Sequence, residues 1–144
     1  MKKLALLLIL LTAVVTEAKP TSQALEQRLK DSYSTMVVNV RQAPTATEKR
    51  AILDGFLSRM DRGLGVVETL LPASNNSHQA ASNMRTRIQA DRTELATIDV
   101  QGASAASSLN GFASYIQQDV EQADGVYLSV GAILIILIIV IILF

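Results

Sequence analysis

Residues 45–71 read TATEKRAILDGFLSRMDRGLGVVETLL. Thr45-Ala46-Thr47-Glu48 has capping-box form, with Thr45 as the N-cap and Glu48 at the third helical position. Beyond it, Leu53, Phe56, Met60, Leu64, Val67 and Leu71 recur at intervals of three and four, flanked by Ile52 and Leu57. That spacing puts them on one face of a helix. Pro72 closes the segment, and Pro44 disfavours helical geometry in the residue before it, so the two prolines bracket a helix near 46–71. Gly55, Gly63 and Gly65 each weaken it by up to about 1 kcal/mol relative to Ala. They read as tolerated surface positions, with Gly55 the alternative candidate for a close helix–helix approach.

Working outward, the same period recurs on both sides. Leu25, Leu29, Tyr33, Met36 and Val40 form a stripe in a helix near 22–43, started by Pro20 and Thr21 or Ser22. Met84, Ile88, Leu95 and Ile98 form one near 78–99, with Asp91 at the register position between Ile88 and Leu95. Leu109, Phe112, Ile116, Val120, Ala123 and Tyr127 form one near 104–124, which Ser104 caps. The predicted core is Leu25, Leu29, Leu53, Phe56, Met60, Leu64, Val67, Met84, Ile88, Leu95, Ile98, Leu109, Phe112 and Ile116.

No segment has the strict alternation of a half-buried strand, and aromatic content is 4%. The expected class is all-α. Short connections favour antiparallel neighbours, hence a small up-down four-helix bundle. A three-helix version has Gly102 inside one continuous helix. A third option is a coiled-coil seam between copies.

Both ends of the chain are apolar. Residues 126–144, VYLSVGAILIILIIVIILF, carry no charge and reach roughly 28 Å as a helix, about a bilayer's hydrocarbon thickness. They read as a C-terminal membrane-anchoring transmembrane helix. The alternative is a GPI-attachment signal, with Ala123, Asp124 and Gly125 as the attachment site, although 126–129 make a poor polar spacer. Residues 1–18, MKKLALLLILLTAVVTEA, have the basic start, apolar run and small-residue exit of a signal peptide. Together these predict an extracytoplasmic domain over 19–125, membrane-anchored at a cell surface or, in a bacterium, on the periplasmic face.

Composition narrows the partners. The 144 residues include 13 basic and 13 acidic side chains, and removing Lys2, Lys3 and Glu17 leaves the 19–125 region near neutral. Such a balance gives no electrostatic footprint for nucleic acid and no polybasic patch for lipid headgroups. There is no cysteine, which excludes a disulfide scaffold and leaves packing to hold the domain.

Residues that carry chemistry are scarce. His78 is the only histidine, and it cannot make a zinc site of the usual nitrogen–sulfur type without cysteines. It reads as a surface or helix-start residue. Asp54, Asp61 and Glu68 recur every seven residues among Lys49, Arg50, Arg59 and Arg62, which reads as a solvated face with local ion pairs. Asn75-Asn76-Ser77 is an N-glycosylation sequon, meaningful in a eukaryotic secretory pathway. Gly63-Leu64-Gly65 lacks the third glycine of a phosphate loop, and no serine lies in a nucleophile elbow. No catalytic residue, metal ligand or cofactor site is expected.

The expected function is therefore that of a membrane-tethered, non-enzymatic helical surface protein acting through protein–protein interaction, in an adhesion, structural or receptor-accessory role. Its partners would be the membrane, through the C-terminal anchor, and an unknown protein or further copies of itself. Alternatives are a GPI-anchored protein of the same shape and an amphipathic-helix lipid-binding protein. The last lacks the dense Lys/Arg polar face such helices carry.

Overall fold

Thr45 starts a helix as its sequence context requires. Its backbone is extended (φ −124°, ψ 152°), and its Oγ1 accepts from the Glu48 N–H at 3.2 Å. The computed structural model describes the backbone of residues 18–74 and 76–122, and side chains within 27–119 except those of 75 and 77. These residues form four α-helices: α1 Ala18–Gln42, α2 Ala46–Leu70, α3 Asn76–Thr97 and α4 Ala105–Gln122. No strand occurs among the described residues.

The connections follow local chemistry. Pro44 lies in the break between α1 and α2. Leu71 ends α2 with extended backbone, its N–H donating to the Val67 carbonyl. Between α3 and α4, the Gln101 N–H donates to Asp99 Oδ1 at 2.9 Å, an Asx turn. Residues 98–104 are non-helical, so α3 and α4 are separate helices and the continuous version through Gly102 does not form.

One cluster of buried side chains joins all four helices. Leu29, Leu53, Phe56, Met60, Leu64, Val67, Ile88, Leu95, Leu109, Phe112 and Ile116 are buried. Met84 and Ile98 are partly buried against this cluster. The Leu25 side chain lies outside the described ones. Tyr33 of α1 and Phe56 of α2 meet edge to face, with ring centroids 4.8 Å apart. Two alanines that a stripe of large residues leaves out, Ala81 and Ala113, are fully buried. Ser32 is buried too, and its Oγ donates to the Arg28 carbonyl of its own helix. The main packed pairs are α2 with α3, α1 with α4, α1 with α2, and α2 with α4. α3 and α4 are not among them.

The membrane reading is corrected here. No helix among the described residues is long and apolar enough to cross a membrane. The reason is chemical: charged residues interrupt α1, α2 and α3 throughout, and α4 is rich in small and polar residues and carries Asp119 and Glu121. The structure therefore supports neither a membrane anchor nor an extracytoplasmic, cell-surface placement. The transmembrane and cell-surface readings are withdrawn with it, whereas the signal-peptide and GPI readings fall outside the described residues. Residues 126–144, the Ala123-Asp124-Gly125 site, residues 1–17 and Asn75 all lie outside the described residues.

Candidate functional site

The charged residues of α2 divide between three surroundings, where the sequence suggested one solvated face. Arg59 and Arg62 are exposed. Lys49 is only 5% exposed, which corrects the solvated reading for that residue. Its Nζ donates to the Val40 carbonyl at 2.6 Å, the Arg41 carbonyl at 3.1 Å and Asn110 Oδ1 at 3.0 Å. An ammonium has three donors, and all three are used. Two acceptors are carbonyls left over at the end of α1, where the helix dipole also favours a cation. Arg50, the next residue, does the same for α3: Nη2 donates to the Ala96 carbonyl at 2.7 Å and Nη1 to the Ile98 carbonyl at 3.3 Å.

The acidic heptad of α2 faces a neighbouring helix. Arg85 of α3 donates from Nε to Asp61 at 2.9 Å and from Nη1 to Glu68. Arg92 lies 3.5 Å from Asp54. The bonds to Asp61, then Glu68, raise the Arg85 pKa above its ordinary value. A Cβ at Gly65 would sit 3.3 Å from the Arg85 guanidinium carbon, so the glycine leaves room for that side chain to lie between its two carboxylates. Gly55, by contrast, faces open space.

His78 stands in the first turn of α3, and its Nδ1 pairs with the Leu71 carbonyl at 3.0 Å. This closes the turn between α2 and α3, and the ring nitrogen acts as donor because a carbonyl only accepts. Among the described residues no three or more His, Cys, Asp or Glu side chains are gathered to hold a metal ion.

What remains open is the seam between α3 and α4. Arg87 of α3 lies 3.7 Å from Asp119 of α4. Farther along, Glu94 of α3 and Ile98, just past its end, face Ser108, Gly111, Phe112 and Tyr115 of α4 across a groove. Residue numbers rise along α3 as they fall along α4, so the two helices run antiparallel here. Tyr115 is 53% exposed, and its ring stacks at a tilt on Phe112. Asp91 sits one turn from Glu94. Its carboxyl is pushed up to about 6, first by burial, then by the charges of Asp119 and Glu94, with Arg87 opposing.

The groove is thus an aromatic floor with an acidic rim, built from residues that sequence reading assigned to core stripes or left unassigned. Asp91 occupies the register position between Ile88 and Leu95, and a carboxylate in that stripe is the one sequence signal that coincides with the seam. In comparison with known proteins, the chain matches no protein-family model, no curated protein and no solved structure.

Proposed function

We propose that the four helices form an up-down bundle acting as a non-enzymatic protein–protein interaction module, with the α3–α4 groove as its contact surface. The bundle topology is supported by the short connections 43–45 and 71–75 and by the antiparallel pairing of α3 with α4. The observation that carries the functional reading is Tyr115. A half-exposed tyrosine on a second aromatic ring, beside a carboxylate rim, is the composition of an interface anchor. The polar clusters elsewhere are engaged in tying helices together: Lys49 and Arg50 close helix ends, and Asp61 and Glu68 hold Arg85.

A photo-crosslinking side chain tests this. Placed at Tyr115 in the full chain, it should give a discrete crosslinked product whose yield collapses when Glu94→Arg is added. Placed at Gln79, which is exposed on α3, it should give none. Equal products from both positions, or none from Tyr115, would overturn the reading.

A further inference from the structure

One face of α2 complements the groove. Arg59, Arg62, Val66 and Leu70 succeed one another at intervals of three and four, so they share a side of that helix. All four are exposed, Val66 at 37% and Leu70 at 49%. Arg59 and Arg62 bond only to carbonyls of their own helix, at Gly55 and Ser58, among the contacts described for them. The stripe therefore carries two cations at one end and two aliphatic side chains at the other. The groove presents one carboxylate, Glu94, with Phe112, Tyr115 and Ile98 beside it. Asp91 and Asp119 lie farther along the same seam, with Arg87 3.7 Å from Asp119.

We propose that the α3–α4 groove of one copy receives the Arg59–Leu70 face of α2 of a second copy. Resting on the interaction reading above, this names the partner as the chain itself. Charge selects it: the arginines meet Glu94 and Asp91, beside the Arg87–Asp119 pair, while Val66 and Leu70 lie against Tyr115 and Phe112. An arginine placed there offsets the desolvation of Asp91 and screens it from Asp119. Stripe and groove are different surfaces, so the contact is heterologous. After pairing, one copy keeps a free groove and the other a free stripe, and association continues into rings or chains.

That geometry has a distinctive test. Sedimentation velocity on the purified full chain should show species larger than a dimer that grow with concentration. Arg62→Glu and Glu94→Arg alter exposed positions, and circular dichroism verifies that each variant keeps its helix content. Each alone should weaken association by tenfold or more. Mixed in equal amounts they should recover association, because the unaltered groove of one variant meets the unaltered stripe of the other and the two reversed surfaces again carry opposite charges. A wild-type chain that stays monomeric, variants that associate normally, or a mixture that behaves as the sum of its parts would overturn the proposal. A monomeric chain whose Tyr115 crosslinks to a different protein would overturn self-pairing and leave the interaction reading standing. A monomeric chain with no crosslink from Tyr115 would overturn both.

Discussion

The Lys49 ammonium lies 2.6 Å from the Val40 carbonyl, so the first turn of α2 closes the last turn of α1. The contact binds helices that are also neighbours in sequence, and through Asn110 it reaches α4 as well. Lys49→Met keeps the aliphatic stem and removes all three donors. It leaves two helix-end carbonyls and the Asn110 amide oxygen without that partner. We expect a loss of about 2–4 kcal/mol, read as a lower urea midpoint at unchanged slope. Asn110→Ala should cost less, about 1 kcal/mol, because Nζ retains both carbonyls. The double variant should fall short of the sum.

Phe56 is buried against Tyr33 at the centre of the α1–α2 contact. Phe56→Ala is expected to cost about 3–5 kcal/mol through lost transfer energy and the cavity left behind. Thermal melts of the two proteins should differ accordingly. An unchanged melt would mean that this stripe does not pack as a core.

Asp91 introduces a pH dependence of defined sign. Its carboxyl titrates near 6 in the folded protein, against about 4 in an unfolded chain. The folded state therefore binds more protons between those values. Stability contributed at this site declines as pH rises from about 4 to about 6, and the cost is fully present above that window. Asp91→Asn should raise the melting temperature at pH 7.5 and leave it nearly unchanged at pH 4. Equal shifts at both pH values would remove Asp91 as the source.

The glycines of the helices should respond differently to a methyl group. Nothing lies within 4 Å of a Cβ added at Gly55 or Gly111. Gly55→Ala and Gly111→Ala should each stabilise by up to about 1 kcal/mol, through the lower backbone entropy of the unfolded chain. Gly65→Ala carries the same gain, set against displacement of Arg85, and should stabilise less than either. Chemical denaturation of the three variants ranks them directly.

The four helices could be read from the chain because their signals are local. The Thr45 cap, the prolines at 44 and 72, and intervals of three and four between large apolar residues act within a turn or two. Partnerships across the core are not local. Nothing in the order Glu48-Lys49-Arg50 says that one cation is buried and the next lies across another helix end. That follows from how α1 and α3 terminate beside α2. Likewise Asp61 and Glu68 read as a solvated face until Arg85 is placed opposite. Ala81 and Ala113 escaped because a stripe counted in large side chains passes over small ones, which are buried where helices come close. The groove was the least legible part. Phe112 reads as core from its spacing, and only the weak packing of α3 on α4 leaves it beside an exposed Tyr115.

Lys49 and Arg50 are consecutive, so they project from α2 about 100° apart around its axis. That angle separates the ends of α1 and α3, which the two cations hold at once. The rotation of α2 about its own axis is thereby locked. A single residue inserted between Arg50 and Leu53 would turn both side chains by about 100° relative to the buried stripe of α2, and away from their carbonyls together. The connection 98–104 is constrained in this way only at Ile98, whose carbonyl accepts from Arg50. Tolerance to changes in chain length is thus distributed unevenly: the segment from Lys49 to Leu53 admits none, while the stretch from Val100 to Ala103 can lengthen without disturbing either clamp.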